Sequence, residues 1–115
     1  EFLAQFSHKN TKTLVGFAVL GGVFGEGIDL VGKRLDGAVI VGIGLPKISF
    51  ERNLIKSYFD RLEKGFSYAY IFPGMNKILQ AAGRVIRTET DEGRILLIGD
   101  RYMNYRFKSL LPKEW

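Results

Sequence analysis

An α/β fold, with helices flanking a parallel β-sheet, is predicted by three features of this 115-residue sequence. Short apolar runs rich in branched residues recur along it, and their length and bounding glycines favour buried strands over helices. Between the second and third of these runs lie segments with apolar residues at helical spacing. Glycines, prolines and one Thr-Asp-Glu-Gly turn punctuate the junctions. Near-continuous apolar strands separated by helices belong to parallel sheets covered on both faces.

The first strand is expected at Thr13–Leu20, followed by a glycine-rich stretch from Gly21 to Gly32. Asp36-Gly37 leads into AVIVGIGL, the second strand, which Pro46 ends. Phe50 to Lys64 carries Leu54, Ile55, Tyr58, Phe59 and Leu62 at helical spacing, with Gly65 as its expected C-cap. The aromatic FSYAYIF is read as a strand or an ordered connection. Pro73 suits an early helical position, and that helix is expected to run to about Thr88. Arg94–Gly99 is the third buried strand, and the tail from Asp100 to Trp115 reads as a short helix ending near Pro112. Three or four strands make a thin sheet. Together with an N-terminus that reads as a helix already under way, this gives the expectation of a partial domain from a longer polypeptide.

Apolar residues make up 46% and charged residues 25% of the chain, a globular composition rather than a disordered one. No apolar run reaches the roughly 18–20 residues that cross a bilayer, no signal peptide is visible, and no membrane partner is expected. The absence of cysteine excludes disulfides and thiolate metal sites within the chain. A cytoplasmic location is the default expectation. The net charge of +5 is compatible with nucleic acid or nucleotide phosphates as partners, and equally with a merely soluble surface.

The segment Gln80-Ala81-Ala82-Gly83-Arg84-Val85-Ile86-Arg87 carries the most chemistry. On a helix turning about 100° per residue, Gln80, Gly83, Arg84 and Arg87 share roughly a quarter of the circumference, and Ile78, Leu79, Ala82, Val85 and Ile86 lie opposite. A helix-interior glycine costs about 1 kcal/mol relative to alanine, so Gly83 points to a close approach on the polar face. Two guanidinium groups and an amide suit the oxygens of a phosphate. The competing reading is a solvated amphipathic helix whose arginines meet water or Glu89. The glycine-rich loop after the first strand can likewise expose N–H groups to an anion, or be no more than a tight turn.

QAAGRVIR matches the Q-x-x-G-R-x-x-R pattern of motif VI in superfamily 2 helicases. Gly22-Val23-Phe24-Gly25-Glu26-Gly27-Ile28-Asp29-Leu30 resembles motif V of the DinG/XPD branch, and the strand Ala38–Ile43 with Gly44-Leu45-Pro46 resembles that branch's VIIVGLP segment. The resemblance covers nearly the whole chain, with motif V at about 22–30 and motif VI at 80–87.

It implies a RecA-like (P-loop NTPase-type) fold, the C-terminal part of the second motor domain of an ATP-dependent DNA helicase. ATP with Mg2+ would be bound mainly by a first motor domain of the same polypeptide. Gln80, Arg84 and Arg87 would face the γ-phosphate, with Arg87 as arginine finger. Glu26, Gly27 and Asp29, with Gly83, would bind or couple nucleotide. Gly25 and Ile28 would approach DNA, single-stranded or with single-stranded tails. An iron–sulfur cluster, where present, would lie in the first domain, which would also supply the phosphate loop and the Asp-Glu-x-His motif that this sequence lacks. By this resemblance the isolated chain neither hydrolyses ATP nor unwinds DNA. Alternatives are a non-catalytic nucleic-acid-binding or regulatory module, and the helicase part of a helicase–nuclease fusion.

Other residues attract less. His8 lies in a polar turn, and Asp60 and Glu63 decorate a helix. Lys47, Arg52, Lys56, Arg61 and Lys64 could follow a DNA backbone, and one of Phe66, Tyr68, Tyr70 and Phe72 could stack on a base. A solvated face and core packing, respectively, are the competing readings.

Overall fold

The structure, a computed structural model, describes residues 5–6, 11–23, 35–86 and 90–115. Strands β1 (Gly37–Val41) and β2 (Arg94–Ile98) pair in parallel, with Gly37 opposite Arg94 and Val41 opposite Ile98. Parallel strands need a long crossover. Here it comprises helix α1 (Phe50–Asp60), a π-helical segment (Ser67–Ile71) and helix α2 (Phe72–Ala82). After β2 come a 3-10 turn (Asp100–Met103) and the short helix α3 (Tyr105–Lys108), in place of the single tail helix expected. The architecture is α/β, as the pattern of apolar runs predicts.

Side chains alternate across the sheet. Ile40, Ile95 and Leu97 join a core with Ile71, Met75 and Ile78 of the crossover, closed by Tyr102 and Phe107. Val39, Val41, Leu96 and Ile98 project from the other face and are exposed. The expected cover on both faces is therefore present on one among the described residues. The run Thr13–Leu20 departs further from expectation. It has no strand assignment, and Val15, Phe17 and Val19 are exposed. Apolar composition favours a strand, but a strand forms only where a neighbour accepts its hydrogen bonds, and no ladder partner is present for this run among the described residues. Only its last residue, Leu20, packs against the core.

Gly42 ends β1 with φ of +74°, a left-handed conformation that costs glycine nothing. Ser49 caps α1 by accepting a hydrogen bond from the Arg52 N–H. The left-handed residue after α1 is Glu63 (φ 55°), not the expected Gly65. Gly65 is buried, and a Cβ there would collide with the Lys56 carbonyl oxygen and the Asp60 carboxylate. This glycine serves close packing rather than capping.

The aromatic segment 66–72 is neither strand nor loop; its π-helix runs directly into α2. Pro73 sits in the first turn of α2, as expected. Lacking an N–H, it deprives the Ala69 carbonyl of its usual α-helical donor, and a π-turn is one way to absorb such a defect. The Arg52 guanidinium donates to that carbonyl at 3.4 Å.

Candidate functional site

Helix α2 ends at Ala82, five residues before Arg87 and short of the Thr88 expected. Gly83 is its C-cap in right-handed geometry, donating its N–H to Leu79 at 2.8 Å. The chain then tightens: Arg84 N–H donates to Ala81 and Val85 N–H to Ala82. Gly83 is therefore a helix-end residue rather than a helix-interior one. The helix-interior cost from which a close approach is read therefore does not apply, and within this chain a Cβ at exposed Gly83 would meet the Leu79 and Gln80 carbonyls.

The turn that follows is held from both sides. Ala82 is fully buried and Val85 nearly so. Val85 lies on Gly93, where any Cβ would collide with its Cγ1. The Arg94 N–H, just beyond, donates to the Asp36 carbonyl, which ties the amino ends of β1 and β2 together beside this turn. Arg84 thus sits between two buried anchors and is itself half-buried, with its Nε shielded from solvent. Gln80, one turn earlier, is exposed. An arginine root fixed in this way lowers the entropy lost when its fork meets a planar anion.

Gly21, the residue just before the motif V segment, lies against the same helix. Gly21 adopts φ of +82°, and a Cβ built there would lie 3.0 Å from Lys77 Nζ. Leu20 packs over Gly44. Lys77 therefore adds a cation, one helical turn before Gln80, that the motif-based reading missed. Its spacing of three residues from Gln80 was the available signal. Gly25, Glu26, Gly27, Ile28 and Asp29 lie outside the described residues, as do Arg87, Glu89 and His8. Of the expected site, the structure describes Gln80, Gly83 and Arg84.

At the opposite end of the sheet, beyond the carboxyl ends of the strands, a shallow cavity of about 240 Å3 is lined by Gly42, Ile43, Gly99, Asp100 and Arg101. Gly99 lies beside Gly42, where a Cβ would make ordinary contact with its Cα at 3.5 Å. The buried Tyr102 donates its hydroxyl to the Gly42 carbonyl at 2.7 Å, and burial pushes its phenol above the usual range. Among the described residues no cluster of His, Asp and Glu could hold a metal ion, and no helix is long and apolar enough to cross a membrane.

The unit is thus β-strand–helix–β-strand, with an arginine-bearing turn between the crossover helix α2 and β2, and a guanidinium there suits the oxygens of a phosphate. The chain belongs to the helicase C-terminal domain family, which it matches over residues 1–115. It is 29% identical to a regulator of telomere elongation helicase 1 homolog from Aedes aegypti over 96% of its length. It is 32% identical to the ATP-dependent DNA helicase chl-1 of Caenorhabditis elegans over 82%, and 33% identical to the ATP-dependent DNA helicase DinG of Photobacterium profundum over 78%. The resemblance to DinG/XPD-type helicases read from QAAGRVIR and the motif V segment is thereby borne out. The chain spans only 12–13% of these relatives.

Proposed function

We propose that this chain is the C-terminal part of a RecA-like second motor domain and supplies one wall of the ATP site of an ATP-dependent DNA helicase. Gln80 and Arg84, with Arg87 as arginine finger, present donors to the γ-phosphate across the cleft to a first motor domain. Negative charge spreads over the phosphate oxygens during transfer, and a guanidinium fork meets two of them at once. The donor set fits an anion's oxygens rather than a cation, so Mg2+ would be held mainly by the first motor domain. Glu26, Gly27 and Asp29 couple nucleotide state to DNA, with Gly25 and Ile28 nearest a single strand.

The observation that carries the reading is the anchored turn after α2. Buried Ala82 and Val85 bracket Arg84, with Gln80 exposed one turn before. Family membership and the similarity to two ATP-dependent DNA helicases, chl-1 and DinG, support it. Lys77 beside Gly21, the residue that leads into motif V, supports a shared surface for the two motif regions.

The test is ATP hydrolysis and strand displacement by a polypeptide carrying this chain together with a phosphate-loop domain. DNA-stimulated turnover that vanishes when residues 80–87 are replaced by an Ala-Glu helix, with folding retained, is the expected result. Hydrolysis unaffected by that replacement would leave the non-catalytic binding module as the better reading.

A further inference from the structure

Helix α1 has no buried residue, although its sequence is amphipathic. The side carrying Arg52, Asn53 and Phe59 is the one held against the rest of the fold. Arg52 donates to the Ala69 carbonyl, Tyr70 donates its hydroxyl to Asn53 Oδ1 at 3.1 Å, and Phe59 stacks on Tyr68 with ring centroids 4.2 Å apart. These contacts, with Gly65 pressed on the same side, fix the helix's rotation. The apolar stripe consequently points away from the fold, with Phe50 74%, Leu54 55%, Tyr58 59% and Leu62 58% exposed. Arg61 lies within the stripe, its guanidinium 3.9 Å from the Tyr58 ring centroid, and exposed Glu51 flanks the other end.

The stripe is complementary to itself in reverse. Positions 50 and 62, 54 and 58, and 51 and 61 are each symmetric about Lys56. A two-fold axis opposite Lys56 makes residue i of one copy meet residue j of the other, and the converse. It brings Phe50 against the partner's Leu62, Leu54 against the partner's Tyr58, and Glu51 against the partner's Arg61. On a helix turning about 100° per residue the members of each pair lie on opposite sides of the seam, the arrangement in which antiparallel helices interleave. A parallel pairing would instead set Glu51 against Glu51 and Arg61 against Arg61.

We infer that the exposed face of α1 and of the turn that follows it is a self-association surface, on which a second copy of this chain docks antiparallel through Phe50, Leu54, Tyr58 and Leu62, with Glu51–Arg61 ion pairs at both ends. The stripe is about 18 Å long at a rise of about 1.5 Å per residue, which makes a small interface and a weak, concentration-dependent dimer. This inference is independent of the ATP-site reading.

Sedimentation velocity from about 10 μM to about 1 mM protein tests it, with far-UV circular dichroism to verify folding of every variant. The wild type is expected to shift from monomer toward dimer. Glu51→Arg and Arg61→Glu each set like charges together at both ends and are expected to weaken association about tenfold or more, because like-charge contacts are strongly disfavoured. The double variant Glu51→Arg/Arg61→Glu restores opposite charges and is expected to recover wild-type association within about threefold. Leu54→Ser is expected to abolish association without unfolding the chain, since Leu54 is exposed. A wild type that stays monomeric throughout, or single variants that associate as well as wild type, overturns the proposal. So does a double variant no better than the singles.

Discussion

Removing one hydroxyl, in Tyr102→Phe, tests whether the carboxyl ends of the two strands are locked as described. The Tyr102 ring is 7% exposed and its hydroxyl donates to the Gly42 carbonyl at 2.7 Å, while the Gly42 N–H donates to Ile98 across the sheet at 2.7 Å. The variant keeps the ring packing and loses one hydrogen bond, leaving a half-buried carbonyl without that donor. A net hydrogen bond contributes about 1 kcal/mol, and a stranded buried acceptor costs about 1–3 kcal/mol. A loss of about 1–2 kcal/mol at pH 7 follows, small beside the roughly 3–5 kcal/mol of deleting the whole ring. The effect depends on pH in a definite direction. Burial raises the folded-state pKa of this phenol above its ordinary value of 10.0. Its contribution is therefore fully present below about pH 10 and is lost as pH rises through the folded value. Urea unfolding of wild type and variant at about pH 7 and about pH 11, either side of the ordinary phenol range, is the assay. The stability gap should narrow at the higher pH. A gap that is absent at the lower pH, or that widens with pH, would refute the hydroxyl's role.

Other consequences follow from contacts elsewhere. Gly93→Ala forces a methyl group onto Val85 and should destabilise by about 1–3 kcal/mol. Adding Val85→Ala should relieve that clash, so the double variant is more stable than the sum of the singles implies; additive urea-unfolding energies would contradict this. Ser49→Ala removes the α1 cap and should cost about 0.5–2 kcal/mol in the same assay. Its own backbone N–H and then the Ser49 hydroxyl hold Glu51 below its ordinary 4.5, so this exposed carboxylate contributes stability above that pH and loses it as pH falls through the folded value. Nuclear magnetic resonance titration of Glu51 should give a midpoint under 4.5 that rises in Ser49→Ala; no rise would count against the bond.

Both paired strands were legible because branched apolar runs bounded by glycine have few other uses. The start of α1 was legible at Phe50 from helical spacing and that of α2 through Pro73, while the Ser49 cap went unread. Periodicity located the apolar stripe of α1 but carried no information about which side the fold covers; Arg52, Asn53 and Phe59 decide that through contacts 17 or fewer residues away in sequence. The end of α2 was misplaced because helical spacing continues through Arg87, whereas the backbone turns at Gly83 so that Val85 can reach Gly93. The run Thr13–Leu20 failed as a strand for a different reason: a ladder needs two strands, and propensity describes only one. Motif matching named Gln80 and Arg84 but passed over Lys77, whose place beside Gly21 is a tertiary fact.

The central proposal is that Arg84 and Arg87, which follow α2 in sequence, act on the transferring phosphate. DNA-stimulated ATP hydrolysis by a polypeptide that joins this chain to a phosphate-loop domain, comparing wild type with Arg87→Ala, tests it most directly. A loss of about 100-fold or more in turnover, with ATP still bound, is the predicted result for a group that acts in the transition state. Unchanged turnover in a folded variant would contradict the account and remove Arg87 from the active site.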